Sequence, residues 1–320
     1  ARVASPFFDR RVHRAVNPAL GNETELADAT RTTTEHPKHV VVVGGGPAGM
    51  EAARVAASRG HRVTLLEASA HLGGALRFAA LVYEPNQRLL AWLTHQMTAL
   101  GVDVRTDAPA TPDDISDLHP DAVLIAVGGA RHPSQVPGAE LDHVVDGDDL
   151  RKVLTGSGEG DASKIPRTGR LAATAGRLLG LSGDPARLAA LTRYYMPVGK
   201  QVVVIGGGLV GIEIAEFLVD RKRSVTVLHE GPTMAAEMAH PRRWRVLADL
   251  RDHGTTLTTG ATATRITPSE VHYRLDDGSE ASIAAESVII ATGLTGNPHL
   301  EQWTDLDGVE PVMIGDATGI

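Results

Sequence analysis

Two copies of one glycine signature constrain this chain more than any other feature. The first reads Val40-Val41-Val42-Val43-Gly44-Gly45-Gly46-Pro47-Ala48-Gly49, and the second Val202-Val203-Val204-Ile205-Gly206-Gly207-Gly208-Leu209-Val210-Gly211. Each joins a run of β-branched residues to G-x-G-x-x-G and then to a stretch of helical composition. Gly44 and Gly206 suit the tight turn out of a strand. Gly46 and Gly208 let backbone approach a pyrophosphate, and Gly49 and Gly211 let helix and strand pack closely. The helix start offers N–H groups and a positive dipole end to phosphate. Pro47, Ala48, Leu209 and Val210 therefore join the glycines as candidate binding positions. One such motif is a weak signal. Two in strand–turn–helix context imply two dinucleotides on one chain, the arrangement needed to pass electrons from a nicotinamide to a flavin.

An acid at the end of the second strand, about 20 residues beyond the first glycine, is expected to hold ribose hydroxyls. Glu67, with Ala68 beside it, stands there for the first motif. The same offset in the second motif lands on His229, with Glu230 next. Glu230 favours NADH. Arg221, Lys222 and Arg223 ahead of that strand keep NADPH open, since basic side chains accommodate a 2′-phosphate. Gly73 and Gly74 follow Glu67 and allow backbone near a phosphate or ribitol. Ala126 and Gly128 end one later strand, and Gly293 ends another; small residues there suit close approach to a cofactor. Gly315-Asp316 closes an apolar strand, where the Asp carboxylate suits the ribityl hydroxyls of a flavin.

Strand and helix alternate along most of the chain. Strands are expected at 38–43, 62–66, 102–106, 122–126, 201–205 and 224–228. Helices are expected after each glycine turn, at 85–100 and at 241–253, with Gly60, Gly101 and Gly254 as helix-ending glycines. A β meander is read over 257–286. This alternation predicts an α/β fold of two interleaved Rossmann-like dinucleotide-binding domains with parallel sheets. The expected division is an N-terminal arm or linker over 1–37, an FAD-binding domain of 38–154 plus 288–320, a connector over 155–198, and an NAD(P)-binding domain over 199–287. Within the connector, 155–161 reads as a loop and 169–181 and 184–194 as helices.

Composition excludes several classes. The 320 residues carry a net charge of −8, so there is no basic footprint for nucleic acid. No apolar run approaches the roughly 20 residues of a membrane span, and no signal-peptide pattern opens the chain, so a cytoplasmic location is expected. The chain opens on Ala1 rather than Met, as a fragment or processed piece does. It has no cysteine, which removes a redox disulfide, a thiolate nucleophile and a self-supplied iron–sulfur cluster. Its 14 histidines are scattered without metal-ligand spacing, so no metal site is expected. No acid, base or nucleophile stands out as catalytic, which fits hydride transfer between two cofactors.

Val16-Asn17-Pro18, the run from Gly44 to Ala53, Leu72-Gly73-Gly74, the second glycine motif and Gly315-Asp316 together resemble the C-terminal half of a known group. These are the large old-yellow-enzyme-type flavoproteins: 2,4-dienoyl-CoA reductase, enoate reductase and the trimethylamine dehydrogenase relatives. The stretch from Pro241 to Leu247 resembles an enoate-reductase-like actinobacterial branch that includes mycofactocin-associated members. In that family an N-terminal barrel carries FMN and the small-molecule substrate, a four-cysteine segment holds a [4Fe–4S] cluster, and the C-terminal half binds FAD and NAD(P)H. The resemblance implies an FAD site at Gly44, Gly46, Gly49, Glu67, Gly73, Gly74 and Asp316, and a nicotinamide site at Gly206, Gly208 and Gly211. It implies electron flow from NAD(P)H to FAD, and on through a barrel domain or subunit carrying FMN to an activated C=C bond. FMN and the cluster are expected only in a missing N-terminal part. Where the family has a cysteine just ahead of the Val-Asn-Pro arm, this chain has Arg14.

The alternative is a structural role, in which the first site holds ADP as in trimethylamine dehydrogenase relatives; the nucleotide released from the protein separates the two readings. A disulfide reductase shares the architecture but needs the cysteines this chain lacks. Oligomeric state is left open, a homo-oligomer included.

Overall fold

In the computed structural model, residues 33–131, 134–146, 198–297 and 299–319 are described, except 305 and 307, as are 20–23, 26, 187, 190, 192, 193 and 196. The Val-Asn-Pro arm, Arg14 and most of the 155–198 connector, with its expected loop and helices, lie outside the described residues.

The elements run in chain order as follows. First come β1 (His39–Val43), α1 (Pro47–Ser58), β2 (Arg62–Leu66), α2 (Ala75–Val82), α3 (Glu84–Ala99), β3 (Asp103–Arg105), α4 (Pro112–Ser116), β4 (Ala122–Ile125) and β5 (Ala130–Arg131). Next come β6 (Val144–Asp146), β7 (Gln201–Ile205), α5 (Leu209–Val219), β8 (Ser224–His229), α6 (His240–Asp252), β9 (Thr256–Thr259), β10 (Ala261–Ile266), β11 (Glu270–Leu275), β12 (Glu280–Ala284) and β13 (Ser287–Ile290). β14 (Leu294–Thr295) and β15 (Val312–Met313) follow. The chain forms two compact units. One holds the described residues up to Arg131 and those from Leu294 on; the other holds those between, ending at Gly293.

The first unit is a five-stranded parallel sheet in the order β15-β4-β1-β2-β3. All five residues of β1 are buried, as a central parallel strand covered on both faces must be. Strand alternation sends Val40 and Val42 to one side, against Met50, Ala53, Leu90, Leu93 and Met97. Val41 and Val43 go to the other, against Ile115, Ile125, Trp303 and Leu306. Pro47 opens α1 and costs no hydrogen bond there. Gly60, at φ +89°, ends it. Thr111 and Asp114 form a reciprocal capping box at α4.

The second unit repeats the plan as β6-β13-β7-β8-β9, again all parallel, with a three-stranded antiparallel sheet β10-β11-β12 beside it. Both units are Rossmann-like.

Three expectations differ from this arrangement. The first domain was drawn to 154 and from 288, yet β6 pairs with β13 and β13 with β7, so both strands complete the second sheet. Short apolar strands look alike whichever sheet they join. β9, read as the start of the meander, instead runs parallel to β8. The helix α2 was not anticipated; its octet ALRFAALV spans little more than two turns and has no capping side chain to announce it.

His39 illustrates how the first sheet is tied at its lower edge. Its backbone N–H donates to Asp121 Oδ2 at 2.7 Å, its Nδ1 lies 3.1 Å from the Leu118 carbonyl and its Nε2 3.0 Å from Thr64 Oγ1. The ring is held neutral: Nδ1–H donates to the carbonyl and Nε2 accepts from the hydroxyl. Burial, with Arg62 adding to it, pushes the imidazole below its ordinary pKa. The unfolded chain therefore binds the proton more readily, so the stabilisation is complete above about pH 6.5 and is lost as pH falls through the lower folded value. Urea unfolding at pH 7.5 and pH 5.5 is expected to show a larger drop for the wild type than for His39→Gln; equal drops would refute this role.

Among the described residues no helix is long and apolar enough to cross a membrane, and no cluster of His, Asp or Glu is arranged to hold a metal.

Candidate functional site

Each unit builds a glycine turn at the carboxyl end of its central strand, β1 or β7, and the glycines divide by what surrounds them. Gly44 sits at φ +105°, and a Cβ there would lie 2.4 Å from the Ala126 carbonyl oxygen. A Cβ on Gly49 would lie 1.9 Å from the Gly44 carbonyl oxygen. Both positions are glycine because the protein itself fills the space. Gly46 differs: at φ −72° its backbone suits any residue, and a Cβ would meet nothing within 4 Å. The open space lies beside the first turn of α1, where the amides of Ala48 and Gly49 have no preceding helical carbonyl to bond. This is a cradle that a side chain would fill and a phosphate can occupy.

Further residues close around it. The Gly73 N–H donates to the Gly45 carbonyl at 2.8 Å, and a Cβ on Gly74 would lie 3.1 Å from Gly46 Cα. Gly73 and Gly74, at φ +123° and +49°, thus form a second wall of the cradle. Glu67, at the tip of β2, accepts the Gly45 N–H through Oε2 at 2.7 Å and the Ser69 N–H through Oε1 at 2.8 Å. Ala68 is exposed beside it. Gly315 rests on the α1 start, where its Cβ would lie 2.8 Å from Ala48 Cβ. Asp316 is exposed on the turn that follows β15, and its carbonyl lies 3.1 Å from a Cβ on Gly129. Gly128 has open space around it. The structure therefore gathers Gly44, Gly46, Pro47, Ala48, Gly49, Glu67, Gly73, Gly74, Ala126 and Gly315 at one sheet end.

Arg77 was not singled out in the sequence. It is 4 % exposed and lies beneath Gly73, whose Cβ would come 2.7 Å from Arg77 Cγ. Burial lowers its pKa while the charge of Glu67 opposes the shift. It sets a buried positive charge close to the glycine walls. The signal for it was there: one cation in the otherwise apolar α2 octet.

The second unit repeats the construction. Gly206, at φ +108°, would place a Cβ 2.5 Å from the Ala291 carbonyl oxygen, and Gly211 would place one 1.8 Å from the Gly206 carbonyl oxygen. Ala235 N–H donates to the Gly207 carbonyl at 2.7 Å, as Gly73 does to Gly45. The space beside Gly208 is open except for Glu237, whose Oε1 lies 3.4 Å from a Cβ there. Leu209 keeps the N–H that Pro47 lacks, so this helix start has one more donor. Gly293 has nothing within 4 Å of a Cβ.

The strand tip that accepts the middle glycine's N–H differs between the units. The Gly207 N–H donates to Nδ1 of His229 at 3.3 Å, so an imidazole stands where Glu67 stands in the first unit. Glu230 is exposed just beyond β8. The basic trio lies at the opposite, amino end of β8. There Arg221 is buried and its guanidinium sits 3.4 Å from the Phe217 ring centroid. Its Nε donates to Thr192 Oγ1 and its Nη1 to the Phe217 carbonyl, each at 2.9 Å. Burial pulls its pKa down to about 10. Arg223 donates to the Arg221 carbonyl at 3.1 Å. Arg221 and Arg223 are thus committed to packing, away from the glycine turn.

Residues 110–310 match the family described as pyridine nucleotide-disulphide oxidoreductase, and residues 39–95 match FAD dependent oxidoreductase. An NADH oxidase of Thermoanaerobacter brockii is 30% identical over 322 residues, covering 98% of this chain and 43% of its own. An N,N-dimethylglycine/sarcosine dehydrogenase of Chromohalobacter salexigens is 48% identical over 121 residues, 37% of this chain and 17% of its own. A solved 2-naphthoyl-CoA reductase in complex with 2-naphthoyl-CoA superposes with a TM-score of 0.78 at 26% identity, covering 98% of this chain and 42% of that one. The chain thus spans about two fifths of the length of the relatives it matches throughout. With both glycine cradles in place, it belongs to the pyridine nucleotide-disulphide oxidoreductase family and corresponds to the C-terminal FAD/NAD half of old-yellow-enzyme-type flavoproteins.

Proposed function

We propose that this chain is the reductase half of a larger flavoenzyme, taking electrons from NAD(P)H onto FAD and handing them to an FMN-bearing barrel domain or partner that reduces an activated C=C bond. The observation that carries the reading is the pair of cradles in front of helix starts, the one at Gly46 clear of protein and the one at Gly208 open but for the Glu237 side chain. A bound flavin would supply the hydride acceptor; the chain supplies binding and orientation.

The residues that would hold FAD are Gly44, Gly46, Ala48, Gly49, Glu67, Gly73, Gly74 and Asp316, with Ala126, Gly128 and Gly315 beside them. Gly46 gives the pyrophosphate its space and α1 its donors. Glu67 keeps a lone pair on Oε2 for a ribose hydroxyl after its bond to Gly45. Arg77 offsets phosphate charge from beneath. Gly206, Gly208, Leu209, Val210 and Gly211 would hold the nicotinamide coenzyme, with His229, Glu230 and Gly293 near it. Leu209 and Val210 are 38% and 37% exposed and offer an apolar surface to a ring. The C=C acceptor follows from the 2-naphthoyl-CoA reductase likeness.

The 48% likeness to a dimethylglycine/sarcosine dehydrogenase favours a second reading, in which the first cradle holds ADP as a structural group. Mass spectrometry of nucleotides released from the full-length protein decides between them. FAD, together with bleaching of a yellow preparation by NADH or NADPH without oxygen, is the expected result. Released ADP with no flavin in the first site would replace it with the second reading. A preparation free of any adenine nucleotide would defeat both.

A further inference from the structure

The two units answer the same local problem with different chemistry. The middle glycine of each turn points its N–H at the tip of the neighbouring strand, β2 or β8, and something there must accept it. In the first unit the acceptor is a carboxylate, Glu67 Oε2 at 2.7 Å from the Gly45 nitrogen. In the second it is a neutral ring nitrogen, His229 Nδ1 at 3.3 Å from the Gly207 nitrogen. Because the amide donates, Nδ1 carries the lone pair and the ring proton sits on Nε2. Nε2 lies over Gly231, 2.9 Å from where a Cβ would stand. The side chain also packs against Gly207, where a Cβ would lie 2.8 Å from His229 Cβ and 3.1 Å from its Cγ.

A carboxylate at this tip serves two purposes at once. It accepts from the vicinal hydroxyls of an adenosine ribose, and it repels a 2′-phosphate. His229 does neither. Its one ring acceptor is spent on Gly207, and the ring nitrogen that remains, Nε2, is an N–H donor. A donor can meet a 2′-hydroxyl oxygen or a phosphate oxygen. Arg221 and Arg223, the two arginines that lead into β8, are committed at its far end and do not reward a phosphate here. Glu230 is exposed rather than turned into the packing around the glycine turn.

We propose that His229 is the residue that sets coenzyme specificity in the second cradle, and that by replacing a carboxylate it makes this site accept NADH and NADPH with comparable efficiency. This rests on the nicotinamide reading of that cradle. The test is stopped-flow reduction of the flavin in the full-length protein under anaerobic conditions, with NADH and NADPH in parallel, for the wild type, His229→Glu, His229→Arg and Glu230→Gln. Melting curves establish that each variant is folded. The wild type is expected to show specificity constants within about tenfold of each other. His229→Glu, which copies the first unit's own solution, is expected to raise the NADH-to-NADPH ratio about tenfold or more through the NADPH KM. His229→Arg is expected to move the ratio the other way. A wild-type preference beyond about a hundredfold for either coenzyme overturns the proposal. So does a ratio that both folded variants leave unchanged, or one that shifts only with Glu230→Gln. If neither coenzyme reduces the flavin, the nicotinamide reading falls and this inference goes with it; a flavin reduced by one coenzyme alone defeats only the specificity claim.

Discussion

Gly46→Ala is expected to fold normally and to weaken nucleotide binding at the proposed first site, whereas Gly49→Ala will lose the first unit's stability. The two glycines are three residues apart in one motif and look equivalent on paper. Their surroundings are opposite. A methyl on Gly46 enters open space at φ −72°, a conformation alanine adopts freely. It clashes with nothing in the protein and occupies the space proposed for phosphate. An intrusion of that size costs about 1–3 kcal/mol, which is roughly a ten- to hundredfold loss of nucleotide affinity. A methyl on Gly49 would sit 1.9 Å from the Gly44 carbonyl oxygen and 3.3 Å from Ala126 Cβ. Backbone has to move, so α1 separates from β1, with an expected loss of about 3 kcal/mol or more. Urea midpoints and nucleotide affinity measure both effects. Should Gly46→Ala bind its nucleotide as tightly as the wild type in a titration of the stripped protein, the cradle assignment is wrong. If Gly49→Ala melts like the wild type, the packing argument fails.

Arg242→Leu is the second large effect. Arg242 on α6 places Nη2 3.2 Å from Glu213 Oε1 and 3.4 Å from Glu216 Oε2, both on α5. The three side chains are only 25%, 17% and 31% exposed. Burial pushes both glutamates above the usual carboxylate range, and Arg242 restrains that shift. Removing the cation leaves two half-buried carboxylates one turn apart, and breaking such a group costs about 3 kcal/mol. The sign with pH follows from the direction of the shift. A carboxyl whose folded pKa is raised binds its proton more tightly in the native state, so its contribution is most favourable below the unfolded value and is lost as pH rises through the folded one. The variant's deficit is therefore expected to be larger at pH 8 than at pH 5. Unfolding at both values checks this, and an equal deficit would rule it out. Arg242→Leu combined with Glu213→Leu is expected to recover much of the loss, because the pair is then replaced rather than broken.

What the sequence made legible was whatever is local. The valine runs of β1 and β7 announce strands buried on both faces, and Pro47 and Gly60 mark the start and end of α1. The glycine pattern is readable because each glycine answers a demand made by residues within a few positions of it, or by the one strand that passes beside it. What stayed hidden depends on distant partners. β6 and β13 join the second sheet only because each finds a particular neighbour, and no pattern within Val144–Asp146 states which. Arg77 was hidden for the same reason, since its meaning comes from lying under Gly73. His229 was noted as standing at the acid's offset, but its bond to Gly207 could not be read from spacing, and that bond fixes the ring's tautomer and so what the side chain can offer a ribose.

The pairing of β15 with β4 has a consequence for how the protein is made. On the ribosome β4 emerges early, while its outer neighbour, Val312–Met313, appears only after the whole second unit has been translated. At about 5–20 residues per second, the interval is on the order of ten seconds or more. Throughout it one border of the nascent sheet exposes unpaired amides and carbonyls, the kind of surface on which chains stick to one another. Slowed elongation across 132–293 would lengthen that exposure, so soluble yield is expected to depend on how fast the middle of the message is read.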